Sequence, residues 1–600
     1  MTPDQITLFV IFAVVMALML WGRWRYDIVA FAGLIAGVLT GIVPAEETFS
    51  GFANPATMTV ALILIVTAGL QRSGVVAMLT RLLSGEKRSV PAHVAIMGGV
   101  GAAISGFMNN VAALAILMPI DIQTARKAGR RPALTLMPLA FATILGGMTT
   151  LIGTPPNLLV SQFREGAAGD GFKMFDFLPV GGAVAVAGVL FIALIGWRLI
   201  PRRDNDVRGG DSSEALRDYV TQLVLPESSS AVGKSLGEVV DNAGNVVILA
   251  VERAGTRYYR TSRMIVLHTG DRLIIEASPD AMEEFRTDQG LAYPEAEEGD
   301  DDESTGESRR AQLDAGGRVL VEAVVPQRSR LIGRRADRLF RGHEVDGLLL
   351  GILREGLTLR EKLNTKRIRN GDVLLLLLPE ENVDAALDPR DLLALQGSTT
   401  QVTKEHRLWG SLAIFAGAIA LTSMGVITMP IALSVVLLLF VLGKILSPED
   451  LYDHVDWPII VLLGAMIPLG MALETTGGSA LIASGLAQLT SGYPAWVALA
   501  LLMITTMFMS DVLNNNATTI LAAPVSIQLA GQLGVNADAF LMGVAVSASC
   551  AFLTPIGHQN NTLILGPGGY RFSDYWRMGL PLEVIVILVS VPMLLIAFPL

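Results

Sequence analysis

The sequence predicts a polytopic α-helical membrane protein. It reads as two inverted repeats, each with a re-entrant hairpin and a discontinuous helix, separated by a cytoplasmic α+β insert. Three observations predict this. The 600 residues are 52% hydrophobic and 17% charged, and apolar stretches long enough to span a bilayer crowd both ends of the chain. The middle third is soluble in type, with short strands and charged turns. Each apolar end also carries the same two polar, helix-breaking phrases. The first copy is Asn109-Asn110-Val111-Ala112 with Pro119, then Thr150 to Asn157 through Gly153-Thr154-Pro155-Pro156. The second is Asn514-Asn515-Asn516-Ala517 with Pro524, then Thr554 to Asn561 through Gly557-His558-Gln559-Asn560.

The expected division is 1–203, an N-terminal transmembrane repeat; 204–294, a first soluble domain; 295–312, an acidic linker; 313–404, a second soluble domain; and 405–600, a C-terminal transmembrane repeat. The stretch Ile6 to Leu20 lacks a basic leader and a small-residue cleavage site, so it reads as a retained span. Basic residues set the orientation. Arg23 and Arg25 put the end of span 1 in the cytoplasm. Span 2 (27–43) exits to an acidic loop, and span 3 (57–71) returns to Arg81, Lys87 and Arg88.

Segment 90–122 is basic on both flanks, with Lys87 and Arg88 before it and Arg126, Lys127, Arg130 and Arg131 after it. One full span would leave a basic cluster outside. Two half-helices broken at Asn109-Asn110 return the chain instead, each reaching about 24 Å at 1.5 Å per residue. Span 5 (133–160) is interrupted at Gly153–Asn157, and span 6 (177–199) ends at Arg198, Arg202 and Arg203, which makes 204–404 cytoplasmic. The second half supplies spans at 407–424, 428–445 and 457–473. A broken segment follows at 493–531, then an interrupted span at 538–565 and a last span at 580–598. This half starts from the opposite side, so its hairpin opens outward. Asn110 and Asn157 are 47 residues apart, and Asn515 and Asn561 are 46 apart, which supports a repeat.

The insert repeats as well. Gly233-Lys234-Ser235 aligns with Gly333-Arg334-Arg335, Val246 to Arg253 with Gly347 to Arg354, and Gly270-Asp271 with Gly371-Asp372. The pattern is strand, short helix, hairpin, then a strand after Gly-Asp. Gly233-Lys234-Ser235 is not a phosphate loop, because Ser228 stands where that motif needs glycine. Gly98-Gly99-Val100-Gly101 has no βαβ context and suits helix packing.

Polar residues in matched breaks are the signature of a transporter site between repeats. The breaks offer amides, hydroxyls and helix N-termini, which bind anions without a basic side chain. Their unwound carbonyls suit sodium. The candidate substrate residues are Asn109, Asn110, Val111, Asn514, Asn515, Asn516, Gly153, Thr154, Gly557 and His558. The candidate sodium ligands are Asn110, Thr150, Gly153, Asn157, Asn515, Thr554, Gly557, Asn561 and Asp511. Asp511 reads either as a sodium or proton ligand or as a helix-end acid near the outer mouth. His558 reads either as a titrating group or as a hydrogen-bonding and packing one. Asp121 is expected to be solvated at the cytoplasmic end of the first hairpin.

Other classes fit poorly. The single cysteine, Cys550, cannot form a disulfide within the chain and reads as packing. The net charge of −10 and the acidic run Glu295 to Glu303 give no nucleic-acid patch. No nucleophile–base or metal set marks an enzyme, and no cofactor is expected. No selectivity filter marks a channel. A cation/proton antiporter wants paired acids at the site, and Asp511 stands alone there in the sequence.

The phrases Asn110-Val111-Ala112, Asn515-Asn516-Ala517-Thr518 and Gly153-Thr154-Pro155-Pro156-Asn157 resemble those of the divalent anion:sodium symporter (DASS, SLC13-like) family. Gly566-Pro567-Gly568-Gly569-Tyr570-Arg571-Phe572 is similar too. The insert resembles two TrkA-C (RCK C-terminal) domains, as in sulfate-type bacterial and algal members. The resemblance implies sodium-coupled uptake of a small divalent anion, sulfate favoured, by an elevator mechanism. It also implies a homodimer among membrane lipid in the bacterial inner membrane. A small-molecule effector at the TrkA-C domains is a further implied partner. A dicarboxylate or citrate carrier is the alternative, since the family's Ser-Asn-Thr motif is here Asn109-Asn110-Val111 and Asn514-Asn515-Asn516.

Overall fold

The computed structural model describes residues 1–21, 23–75, 78, 83, 88–201, 220–241, 246–253, 256–259, 264–276, 279–292, 318–326, 329–336, 339, 348–354, 357–359, 366–379, 383, 391–395, 405–448 and 450–600. Arg81, Lys87, Arg202, Arg203, Gly347 and the acidic linker 295–312 lie outside the described residues. The chain forms two compact units: Met1–Pro201 with Thr399–Leu600, and Arg202–Ser398.

The first unit is helical. Its first half contains α1 (Pro3–Trp21), α2 (Tyr26–Leu39), α3 (Pro55–Leu70), α4 (Val90–Ser105), α5 (Asn110–Lys127), α6 (Ala133–Gly147), α7 (Pro155–Ala168) and α8 (Ala183–Leu194). Local rules set the starts. Asn54 accepts from the Ala56 amide at 2.9 Å, and Pro55 occupies the first turn, where its missing N–H costs nothing. Pro155 and Pro156 likewise open α7. The sequence reading put this interruption at Gly153–Asn157, but the helix stops at Gly147 and resumes at Pro155, so Asn157 is helical. Proline is at home in a first turn, which explains the shift.

α4 and α5 are antiparallel, joined by residues 106–109. At one end the Arg130 guanidinium donates to the Arg88 carbonyl, and His93 Nε2 meets Asp121 Oδ1 at 2.7 Å. At the other end the Ser105 hydroxyl meets the Asn110 side chain at 2.7 Å. The basic flanks at Arg88 and Arg130 therefore share one end. Asp121 is not solvated as expected; it is fully buried, held by His93 and by the Thr135 hydroxyl at 2.6 Å. A carboxylate inside a helix packing face is kept there by such partners.

The second unit is two small antiparallel sheets. The first contains β1 (Val220–Val224), β2 (Val247–Arg253), β3 (Thr256–Tyr259) and β4 (Arg272–Glu276) in the order β1-β4-β2-β3, with α9 (Leu236–Asp241) and α10 (Pro279–Gln289). The second contains β5 (Arg318–Val324), β6 (Leu348–Arg354), β7 (Leu357–Leu359), β8 (Val373–Pro379) and β9 (Leu393–Ala394) in the order β7-β6-β8-β5-β9. Each encloses its own apolar core. A register shift between Ile248 and Ala250 recurs between Leu349 and Gly351.

One ion pair recurs as well. Arg253 donates to Asp271 from Nε at 2.7 Å and Nη2 at 2.6 Å, and Arg354 donates to Asp372 at 2.7 Å from both nitrogens. Both carboxylates also accept a backbone amide, from His268 or Arg369. Burial pushes the Asp271 carboxyl up, but the Arg253 guanidinium and the His268 amide outweigh it and hold it below the ordinary carboxylate range.

The second half of the helical unit contains α11 (Glu405–Ser423), α12 (Met429–Leu442), α13 (Asp450–Asp453), α14 (Trp457–Thr475), α15 (Gly478–Leu489), α16 (Ala495–Val512), α17 (Asn515–Leu533), α18 (Ala537–Ser549), α19 (Gln559–Leu565) and α20 (Tyr575–Ala597). The sequence reading contained no α15. Its apolar run is short and starts after Gly477, whose φ of 72° turns the chain sharply. The corresponding stretch of the first half, near 76–87, lies mostly outside the described residues. Among the described residues, four helices are long and apolar enough to cross a membrane: Pro55–Gly74, Trp457–Thr475, Ala495–Val512 and Phe572–Ala597.

The two halves are bonded to each other. The Tyr570 hydroxyl accepts from the Met137 amide at 2.9 Å and donates to the Ala133 carbonyl at 2.5 Å, so it sits inside the first turn of α6. Arg164, in α7, meets Asp538 at the start of α18 at 2.8 Å. Cys550 Sγ lies 3.4 Å from Met148 Sδ in a fully buried contact, which fits its packing role.

Candidate functional site

The polar phrases meet where each broken helix pair packs against the interruption that follows it. In the first half, the Thr150 hydroxyl donates to the Gly106 carbonyl, between α4 and α5. Asn157 Nδ2 donates to the Thr150 carbonyl at 2.8 Å. In the second half, the Thr554 hydroxyl donates to the Asp511 carbonyl at 2.8 Å, and Asn561 Nδ2 donates to the Thr554 carbonyl at 3.0 Å. The same bonds recur between matching positions. In both halves the other amide oxygen, Oδ1 of Asn157 and of Asn561, is buried with no hydrogen-bond partner among the described residues. An unpaired buried carbonyl oxygen costs about 1–3 kcal/mol, which a bound cation would offset.

The paired asparagines divide their work. Asn109 Oδ1 accepts from the Val111 amide and Asn514 Oδ1 from the Asn516 amide, both at 2.9 Å. Both oxygens are thus committed to capping α5 and α17. Asn110 and Asn515 begin those helices, and each side chain meets a serine five residues earlier, Ser105 at 2.7 Å and Ser510 at 3.0 Å. Sequence reasoning missed both serines. Their identical offset from the second asparagine was the available signal.

Asn110 is buried and joins the halves. Its carbonyl accepts from Asn560 Nδ2 at 3.2 Å, and that nitrogen also reaches the Thr143 hydroxyl at 2.8 Å. Its side chain lies 3.4 Å from His558 Nε2. His558 Nδ1 accepts from the Asn560 amide at 3.1 Å and caps α19. Gly147 makes room for the Asn110 side chain. A Cβ there would lie 2.1 Å from Asn110 Oδ1. Gly153 and Gly557 also sit against backbone, with a Cβ meeting the Gly147 carbonyl at 2.3 Å or the Asp511 Cα at 3.0 Å. Thr154 is buried, and Val111 contributes its amide to the cap. Asn515 is only half-buried, and Asn516 is buried one position further on.

Asp511 is buried at the end of α16, and its Oδ1 accepts from the Leu553 amide at 2.9 Å. It is not alone. Glu583, from α20, is its neighbour and accepts from the Phe552 amide at 3.3 Å. Neither acid has a basic partner among the described residues. Sequence reasoning missed Glu583; an acid in an otherwise apolar run was the available signal.

Apolar helices of spanning length and buried, matched polar breaks define the class: a multi-pass membrane protein. The chain belongs to the citrate transporter family, whose sequence pattern matches residues 16–540 and 498–600. An uncharacterized transporter of Synechocystis sp. is 30% identical over 97% of this chain and 95% of its own length. An uncharacterized transporter of Escherichia coli is 29% identical over the whole of both chains. Sodium/sulfate cotransporter 1 of Chlamydomonas reinhardtii is 29% identical over 49% of this chain and 34% of its own length.

Proposed function

We propose that the chain is a secondary active symporter that takes up a small divalent anion, sulfate favoured, together with sodium. The observation that carries this is the pair of buried amide oxygens without partners, Asn157 Oδ1 and Asn561 Oδ1, each beside a broken helix. These oxygens, with the carbonyls around Thr150, Gly153, Thr554 and Gly557, are the proposed sodium ligands. The acids Asp511 and Glu583 lie next to the second set, and a cation bound there would stabilise their ionised forms. The anion is proposed to sit at the starts of α5 and α17, where helix N-termini supply partial positive charge. Asn110, Asn515 and His558 would orient it. Sodium/sulfate cotransporters among the relatives support both the ion and the anion.

In this reading α4–α5 and α16–α17 are re-entrant hairpins of opposite topology in inverted repeats, moving by an elevator step in a homodimer. The bond from Arg130 to Arg88 supports the first hairpin, since it holds both basic flanks at one end. The second unit is proposed to be cytoplasmic and regulatory, with two TrkA-C-like domains. A citrate or dicarboxylate substrate is the second reading, favoured by the family match. The test is uptake into proteoliposomes of sulfate, succinate and citrate, each with and without an inward sodium gradient. Sodium-driven sulfate uptake is expected. Uptake of citrate or succinate without sulfate would overturn the substrate, and indifference to sodium would overturn the coupling.

A further inference from the structure

The two sheet domains of the second unit share one loop frame but not its charge. In the first, Gly233 at φ 80° donates to the Leu267 carbonyl at 2.9 Å, and Leu267 donates back to Lys234 at 2.9 Å. In the second, Gly333 at φ 80° donates to Ile368 at 2.8 Å, and Ile368 donates back to Arg334 at 3.0 Å. Ser235 bridges Val266 in one, and Arg335 bridges Arg367 in the other. The positions held by Lys234, Ser235, Ile265, Val266 and His268 in the first domain are Arg334, Arg335, Lys366, Arg367 and Arg369 in the second.

The frame does not require these charges, since the first domain builds it with one lysine and one histidine. Nor do carboxylates neutralise them among the described residues. Among the described residues, the side chains of Arg334, Arg335, Lys366 and Arg369 have no acidic partner, and that of Arg367 donates only to the Gly333 carbonyl. The four arginines are exposed. Like charges this close repel by an amount that only a bound anion or salt relieves. Four of the five are arginine, whose planar fork matches the oxygens of a phosphate group, whereas a plain solvated face is served as well by lysine.

We propose that the two segments 333–336 and 366–369 form a docking site for a phosphate-bearing anion, present on the second sheet domain and absent from the first. The phosphate can belong to a soluble molecule or to a lipid headgroup, and the test separates these. It does not depend on which substrate the helical unit carries.

Full-length protein in phosphatidylcholine nanodiscs is titrated calorimetrically with inorganic pyrophosphate. In parallel, hydrogen exchange of 330–336 and 366–369 is measured in vesicles with and without phosphatidylglycerol. Saturable pyrophosphate binding without a lipid effect assigns the site to soluble phosphates; lipid-dependent protection without pyrophosphate binding assigns it to headgroups. In either case the Arg334→Gln, Arg335→Gln double variant is expected to lose about tenfold or more in affinity or protection. Lys234→Gln, on the matching loop of the first domain, is expected to stay within about twofold. Absence of both effects, or equal effects in the double variant and wild type, overturns the proposal. Unchanged exchange in β5 and β8 confirms that the variants are folded.

Discussion

Two sets of bonds recur within the molecule, and what surrounds them differs in opposite places. In the helical unit the framework bonds recur: hydroxyl to carbonyl at Thr150 and Thr554, amide to carbonyl at Asn157 and Asn561, serine to asparagine at Asn110 and Asn515. What changed lies inside, around those bonds: His558 and Asn560 reach Asn110, while Asp511 and Glu583 flank the other break. In the sheet unit an Arg–Asp pair with a buried carboxylate recurs and the change is on the surface. An interior altered around a constant frame fits a site that must distinguish its two ends. A surface altered around a constant frame fits a difference in what docks there.

The largest test breaks the first comparison outright. Asn110→Ala or Asn515→Ala is expected to reduce uptake to background with expression unchanged, because each removes the side chain at a helix start beside a break. Background uptake in only one variant would show that the halves are unequal in function as well as in surroundings. Normal uptake in both would remove the helix starts from the site.

A smaller effect separates the halves sterically. Gly147 is the position where Asn110 approaches, and Ala551 is its counterpart in the second half, packed against Gly557. Gly147→Ala is expected to lower uptake about tenfold or more, since a Cβ within bonding distance of Asn110 Oδ1 displaces that side chain. Ala551→Gly is expected to change it about twofold or less. Equal effects would mean that the close approach at Gly147 has no functional weight.

The sheet unit responds in stability. Arg253→Ala leaves a buried Asp271 with only its backbone donor, and Arg354→Ala does the same to Asp372. Each is expected to cost its own domain about 2 kcal/mol, less than a fully buried pair because Arg253 is partly exposed. Hydrogen exchange in the full chain reads this directly: β2 and β4 for the first variant, β6 and β8 for the second. Loss spreading equally to both domains would show that they unfold as one body.

Much of this was legible in the sequence, for a physical reason. Polar residues such as Asn110 and Asn561 stand out in apolar runs, and Gly270-Asp271 stands out between strands. The helix breaks fell within a few residues of their observed positions, because glycine, asparagine and proline act locally. Contacts across the chain were not legible. Ser105 looks like an ordinary small residue until Asn110 folds back on it. Glu583 looks like a stray acid until α20 packs beside α16. Asp121 looked solvated because nothing local announces His93, 28 residues earlier, or Thr135 on the next helix. Asn109 and Asn514 read as ligands beside Asn110 and Asn515, since a cap and a ligand are the same residue type.

The smallest expected effect is a pH dependence that marks one sheet domain. Asp271 is held below the ordinary carboxylate range when folded, so its contribution to stability is fully present above the unfolded value of about 3.9. It is lost as pH falls through the lower, folded value, because the unfolded chain then binds no more protons than the folded one. Between neutral pH and about pH 5 the first sheet should show no change from this source, and weakening should begin only in stronger acid. Arg253→Gln removes the main cause of the depression. Burial then dominates and raises the folded value, so in the variant Asp271 gains a proton on folding, and this contribution favours the fold as pH falls toward 4. Exchange rates in β4 measured against pH in the wild type and the variant test the sign. The same acid weakening in both would show that Asp271 is not its source.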